Sequence, residues 1–395
     1  MIDYVPFIIF LMILAVYLRV ESALTILYMI LGIFMLSLYW GKRAIRHIEI
    51  KRDYESHAFF GDKIPVQLTI RNKSLIPILW LEIHESLPVN LRAGKNVGAV
   101  MTLGVKGTKT ITYQCQAFKR GYYSLGPLTA RTGDPLGLLK PSQREIHESA
   151  VTVYPQIFDL EDFGLPSRSP FGNIKHKNPI FEDPSRILGK RDFIPGDPIK
   201  RIDWKSSAAT NKLQVKFYES SIALDVAVLL DLDNRSYAIK TFYDATELAI
   251  TAGASIAAWC KAHQQPFGLI TNGIDPELNY EIPPPLLPKK STGQFITILE
   301  YLARIQPGEQ IALDQLLHNT FFNLSWGTTI ILISGGLNET NIEQLFQAKK
   351  IGINPVIILT GQFPELSRLR NLANYYSIPI HLVTLPSDLR TLGSR

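Results

Sequence analysis

Residues 223–235 read Ala-Leu-Asp-Val-Ala-Val-Leu-Leu-Asp-Leu-Asp-Asn-Arg. From Ala223 to Asp231 the run is apolar almost without break and rich in Val and Leu. That is the pattern of a strand buried on both faces, which belongs in a parallel sheet covered by helices. Carboxylates and an arginine follow at once, where such a strand would end.

Downstream the pattern alternates. Phe242 to His263 carries Ala245, Leu248, Ala252, Ile256 and Trp259 at helical spacing, and Pro266–Thr271 reads as a strand. Helices are expected over Phe295–Arg304 and Ile311–His318, then a strand over Thr328–Ser334 ended by Gly335-Gly336. Glu339–Lys349 reads as a helix, Asn354–Thr360 as a strand, Glu365–Tyr375 as a helix and Ile378–Val383 as a last strand. Strands alternating with helices imply an α/β domain, a parallel sheet doubly wound with helices on both faces. In such sheets sites form where loops leave the carboxyl ends of strands. Asp231–Arg235 and Ser334–Gly336 are the two loops that stand out.

Upstream, residues 191–208 concentrate special residues: Arg191, Pro195, Gly196, Asp197, Arg201, Asp203 and Trp204. Pro195-Gly196 reads as a turn. Asp197 is placed to cap a short helix with Pro198 at its first position. Arg201, Asp203 and Trp204 suit an internal ion pair and a packing role. Residues 186–216 hold eight basic groups against three acids, nearly the whole excess of a chain whose net charge is +6. Two readings fit: a basic surface for an acidic partner or lipid head groups, or a solvated charged hairpin with local ion pairs. Leu213, Val215 and Phe217 alternate with polar neighbours as in a half-exposed strand.

Residues 156–190 form a Pro- and Ser-containing connector. Before them, residues 45–155 show short alternating runs, among them Val66–Ile70, Ile78–Ile83, Thr110–Cys115 and Val151–Tyr154, split by turns. Strands at this spacing imply a small antiparallel β-sandwich-like domain.

The first 41 residues hold two uncharged apolar runs, Tyr4–Leu18 and Ser22–Trp40, separated by Arg19-Val20-Glu21. Their lengths imply two transmembrane helices joined by a short turn. Lys42, Arg43, Arg46, Lys51 and Arg52 follow, so the positive-inside rule keeps both termini in the cytoplasm of a multi-pass protein of the inner (plasma) membrane, in contact with membrane lipid. Cys115 and Cys260, far apart in sequence, fit a reducing compartment rather than a disulfide framework.

At 395 residues, 46% hydrophobic and 10% aromatic, the chain has material for several cores. It holds no phosphate-binding Gly-x-x-x-x-Gly-Lys-Ser/Thr loop, no Gly-x-Ser-x-Gly elbow and no His-Glu-x-x-His pair. No zinc-knuckle or RNA-binding aromatic motif accompanies the basic segment, so nucleic acid is not an expected partner. These absences weigh against an enzyme, and no catalytic residue is assigned.

Three stretches carry a resemblance: Arg120–Leu128, Asp134–Leu138 and, most specifically, residues 191–208. With them the chain resembles bacterial membrane proteins that carry the domain of unknown function 58 and a von Willebrand factor A-like C-terminal domain. The resemblance implies that residues 191–395 form the A-like domain. It also implies a membrane-anchored, non-enzymatic scaffold that acts with a MoxR-type AAA+ ATPase in assembling or maturing other proteins. A-type domains often hold Mg²⁺ through Asp-x-Ser-x-Ser and more distant Thr and Asp residues. Here Asp231 matches, Asp233 and Arg235 replace the serines, Ser334 stands where Asp is common, and Thr292 is a weak match for the Thr. Asp231, Asp233 and Ser334 are the candidate metal ligands of a degenerate site. A Mg²⁺-dependent ligand-binding module is the alternative function, with no cofactor as the leading expectation.

Overall fold

The structure is a computed structural model. It describes residues 10, 13, 21–91, 97–134, 141–146, 149–160, 187–194, 202–210, 212–218, 225–363 and 366–392. The chain divides into two compact units, Met1–Tyr154 and Pro155–Arg395.

The first unit opens with helix α1 (Glu21–Arg46) and continues through ten strands: β1 (Ile48–Tyr54), β2 (His57–Phe59), β3 (Lys63–Asn72), β4 (Ile78–Glu85), β5 (Val97–Leu103), β6 (Thr108–Gln116), β7 (Gly121–Leu125), β8 (Leu128–Thr132), β9 (Ser142–Ile146) and β10 (Ser149–Tyr154). They build three small sheets, β1-β3-β6, β5-β4-β8-β9 and β2-β10-β7. Strand β3 alternates buried and exposed residues along its length, as a strand with one solvated face must. Its Leu68 and Ile70 meet Ile78, Leu81 and Ile83 of β4 and Leu128 of β8 in one core, so two of the sheets pack face to face. The third sheet departs from an all-antiparallel design: β10 pairs with β2 in parallel, Thr152 opposite His57.

The expected membrane hairpin is corrected here. Among the described residues no helix is long and apolar enough to cross a membrane. Helix α1 does not stop at Trp40; it runs to Arg46, with Arg43 and Arg46 in its last turn. Ala44 and Ile45 are buried in the β core with Trp40 packed beside them, so this end of the helix is anchored in protein. The first run, Tyr4–Leu18, lies outside the described residues except for Phe10 and Ile13. The architecture is mixed α/β with many small sheets.

The second unit begins with an antiparallel ribbon, β11 (Ile187–Asp192) and β12 (Gln214–Tyr218), with helix α2 (Trp204–Thr210) in the connection. Most of the expected 156–190 connector lies outside the described residues. A six-stranded sheet follows: β13 (Val226–Leu230), β14 (Phe267–Thr271), β15 (Leu286–Lys289), β16 (Thr329–Ser334), β17 (Asn354–Thr360) and β18 (Ile380–Val383). Their order is β15-β14-β13-β16-β17-β18, all parallel except β15. Strands β13, β14 and β16 are buried at every position, as their unbroken apolar runs require.

Helices cover both faces. Ala227, Leu229, Ile330, Leu332, Ile357 and Leu359 share one core with α5 (Leu313–Phe321), α6 (Glu339–Lys350) and α7 (Leu366–Tyr375), numbered after α3 (Phe242–Ala262) and α4 (Thr292–Arg304). Against the other face lies α3, whose Gly253 approaches Ile333 and Leu302. Its buried side includes Ala245, Ala249, Ala252, Gly253, Ala254 and Ala257, small residues that let helix and sheet sit close. Strand β15 closes one edge in a Pro-rich stretch: Pro283, Pro284 and Pro285 precede it and Pro288 lies within it. It comes so near β14 that a Cβ on Gly268 would lie 2.3 Å from the Leu286 carbonyl oxygen.

Candidate functional site

Numbered within the domain, the sheet order is 3-2-1-4-5-6. The chain winds outward from β13 to β15, then crosses back to β16. The winding reverses between β13 and β16, and the crevice outside their carboxyl ends is the place where such sheets bind ligands. Asp231 leaves β13 there, Ser334 ends β16 and Asn272 follows β14.

These three residues form one buried network. The Ser334 hydroxyl lies 2.7 Å from Asp231 Oδ2 and donates to it. The Gly336 amide in turn donates to Ser334 Oγ at 3.1 Å. Asn272 Nδ2 donates to Asp231 Oδ1 at 2.7 Å and to the Ile311 carbonyl at 3.1 Å, and its Oδ1 accepts from the Leu232 amide at 2.7 Å. The Asp233 amide donates to Asp231 Oδ1 at 3.1 Å, and the Tyr237 hydroxyl to the Asp231 carbonyl at 2.6 Å. Burial raises the Asp231 carboxyl above its ordinary value, and donation from Ser334, Asn272 and Ser236 opposes that rise. Tyr237 is pushed well up, first by burial and then by the Asp231 charge. Gly335 makes the close packing possible: a Cβ there would lie 2.1 Å from the Tyr237 ring.

The Asp233 carboxylate does not join the side chains of Asp231 and Ser334. Both its oxygens are taken by Arg235, whose Nε lies 2.9 and 3.0 Å from them and whose second nitrogen lies 2.7 Å away. Asp233 also accepts from the Arg235 amide at 3.0 Å. A guanidinium therefore holds the carboxylate that a cation would need, and the Asp231 oxygens are filled by hydrogen-bond donors. Among the described residues no group of three His, Cys, Asp or Glu side chains could hold a metal. The residues do not fit Mg²⁺, which demands several oxygen ligands in octahedral array. Thr292 only opens α4.

The 191–208 segment lies on the ribbon. Arg191 is exposed on β11, opposite Val215. Asp203 caps α2, accepting from the Ser206 amide at 3.2 Å, and its other oxygen lies 2.9 Å from Lys190 Nζ. Chiefly through that lysine its carboxyl is lowered to about 2. Trp204 is 65% exposed, so the expected packing role is not the one it has. Pro195, Gly196, Asp197 and Arg201 lie outside the described residues.

Sequence reasoning missed Asn272 and Tyr237. Asn272-Gly273 directly after a strand was the available signal, but its meaning depends on which strands neighbour one another.

Residues 189–352 match the model of the family described as "Protein of unknown function DUF58". Over 201 residues the chain is 26% identical to "Uncharacterized protein YeaD" of Bacillus subtilis (strain 168), an alignment covering 50% of this chain and 48% of that protein. The chain thus matches about half the length of this curated relative. Among solved structures it is similar to the CARDB domain of the PF1109 protein from Pyrococcus furiosus, at TM-score 0.20 and 14% identity, over 27% of this chain and 86% of that one. It is also similar to proximal thread matrix protein 1 from the mussel byssus, at TM-score 0.31 and 16% identity, over 44% and 46% of the two chains. The match to that family model runs from the β11–β12 ribbon through the Ser334 loop and helix α6 and covers less than half of the chain.

Proposed function

We infer that this chain is a non-enzymatic interaction module. Its C-terminal sheet domain is von Willebrand factor A-like and docks a MoxR-type AAA+ ATPase engaged in assembling or maturing other proteins. The A-like reading draws support from the sheet order with its antiparallel third strand, and the ATPase comes from the family resemblance. One observation carries the docking reading. Beside a carboxylate network closed on itself, the loop after β13 presents Ile239 at 95% exposure, with Tyr243 also exposed. A rigid base with an apolar tip is suited to protein contact. Capture of the tagged full chain from cross-linked cells should enrich an AAA+ ATPase, and Ile239→Glu should abolish that enrichment. Equal recovery by the variant, or no ATPase with either chain, would count against this reading.

The alternative, a Mg²⁺-dependent ligand-binding module, is not favoured by this geometry, because Ser334 donates to Asp231 and Arg235 occupies Asp233. Calorimetric titration of the full chain with MgCl₂ should give no heat and no thermal shift.

A further inference from the structure

We propose that the tip of the β11–β12 ribbon docks onto an anionic lipid bilayer surface through Trp204, Ile194 and Leu213 set among lysines. The proposal goes beyond the docking role above and uses a different part of the domain. It does not depend on any spanning segment.

The geometry gathers the three apolar side chains at one end of the ribbon. The Phe193 amide donates to the Leu213 carbonyl at 2.8 Å, which makes the last rung. Ile194 follows that rung on one strand and Leu213 belongs to it on the other. The Asp203 amide donates to the Gln214 carbonyl at 2.8 Å, which brings the start of α2, and so Trp204, to the same end. Trp204, Ile194 and Leu213 are exposed at 65, 59 and 45%.

Charge surrounds them. Lys205 adjoins Trp204 and Lys212 adjoins Leu213, and both are exposed. Lys190 and Lys216 stand directly opposite each other on the two strands. Among the described residues the acids here are already engaged. Asp203 is held by Lys190 and the helix amide, and Asp192 accepts from the Gln214 side chain. Among the described residues no ion pair joins Lys205 or Lys212. The described residues of the tip therefore set unpaired lysines, Lys205 and Lys212, around an apolar point.

The chemistry favours a bilayer over a protein or nucleic acid. Protein interfaces favour Arg and are depleted in Lys, and paired recognition of a single phosphate also favours Arg. Among the described residues, four lysines accompany Arg191 on the ribbon and its α2 connection. Clustered lysines respond to the summed field of anionic head groups without needing fixed geometry. Nucleic acid would stack on Trp204 but would offer Ile194 and Leu213 no apolar phase. Tryptophan with aliphatic neighbours is suited to the head-group boundary, where the ring spans polar and apolar layers.

The test is co-sedimentation of the full chain with phosphatidylcholine vesicles, with and without phosphatidylglycerol. Binding should require phosphatidylglycerol and weaken with salt. Lys205→Glu combined with Lys212→Glu should reduce it roughly tenfold or more. Trp204→Ala, at an exposed site, should weaken binding without lowering the melting temperature. Brominated lipid should quench the full chain's fluorescence and quench Trp204→Phe less, which isolates this ring among five tryptophans. Equal binding to both vesicle types, or binding untouched by both variants, would overturn the proposal. Heparin binding as tight as vesicle binding, with no effect of Trp204→Ala, would also overturn it, since the ribbon would then be a general polyanion site.

Discussion

The Ser334 hydroxyl meets the Asp231 carboxylate at 2.7 Å, joining two residues 103 positions apart at the ends of adjacent parallel strands. This bond closes the crevice at the point where the sheet winding reverses. The hydroxyl also lies 2.7 Å from the Gly336 carbonyl, but its single proton goes to the charged acceptor. Ser334→Ala should leave a buried carboxylate short of a donor and cost about 1–3 kcal/mol, read by denaturant titration.

The pH dependence has a definite sign. Burial raises the Asp231 carboxyl, so the folded state holds its proton more tightly than the unfolded state. Between the two values the folded chain binds more protons, and stability falls as pH rises from about 4 until the raised value is passed. Asp231→Asn removes that slope. Its melting temperature relative to the natural chain should climb with pH over this window; a decline would show that the charged form is the favoured one.

Gly335 is required for space rather than for backbone freedom. In Gly335→Ala the new methyl would fall 2.1 Å from the Tyr237 ring and displace it from the Asp231 carbonyl. Overpacking of this kind costs about 1–3 kcal/mol, with a lost buried hydrogen bond in addition. Tyr237→Phe removes only the hydroxyl and should cost less. If the two variants melt together, the steric account fails.

Arg235 occupies the Asp233 carboxylate, so MgCl₂ should leave the natural chain's melting temperature unchanged. Arg235→Ser frees that carboxylate. If the guanidinium is what keeps a cation out, the variant should gain a Mg²⁺-dependent rise, about 2.7 kcal/mol at a hundredfold excess over Kd. A rise in the natural chain would show that the existing donor set binds the ion after all.

In the β domain, Glu85 is fully buried between Arg52 and the Tyr113 hydroxyl. Glu85→Ala leaves Arg52 buried without this carboxylate and should cost about 3–5 kcal/mol. Tyr113→Phe should cost about 1.5–3 kcal/mol. Burial first, then Glu85, push the Tyr113 hydroxyl far above its ordinary range. Its tyrosinate absorbance should therefore appear in alkali only on unfolding.

Legibility in the sequence followed locality. The strand over Asn354–Thr360 has the bounds its apolar run implies, and the central strands announce themselves because both faces are buried. Strand β15 was missed because four prolines in six residues read as loop, yet an edge strand needs few amide donors. The second apolar run, Ser22–Trp40, was read as a membrane span because hydropathy does not reveal that its helix continues to Arg46 and that Trp40, Ala44 and Ile45 pack into a protein core. At the site, Asp231 and Ser334 were found from loop position. Asn272 was not, because its role depends on β14 lying beside β13. Trp204 was expected inside; a short helix does not tell in advance which way its first residue turns.

The proline-rich edge has a consequence for how this domain meets other chains. A sheet border normally invites a further strand, whether from a peptide ligand or from a second copy heading toward aggregation. At β15 the outermost strand is four residues long, and Pro288 withholds one of its amide protons. So short an outermost strand offers little backbone for templating, which leaves recognition at this border to side chains.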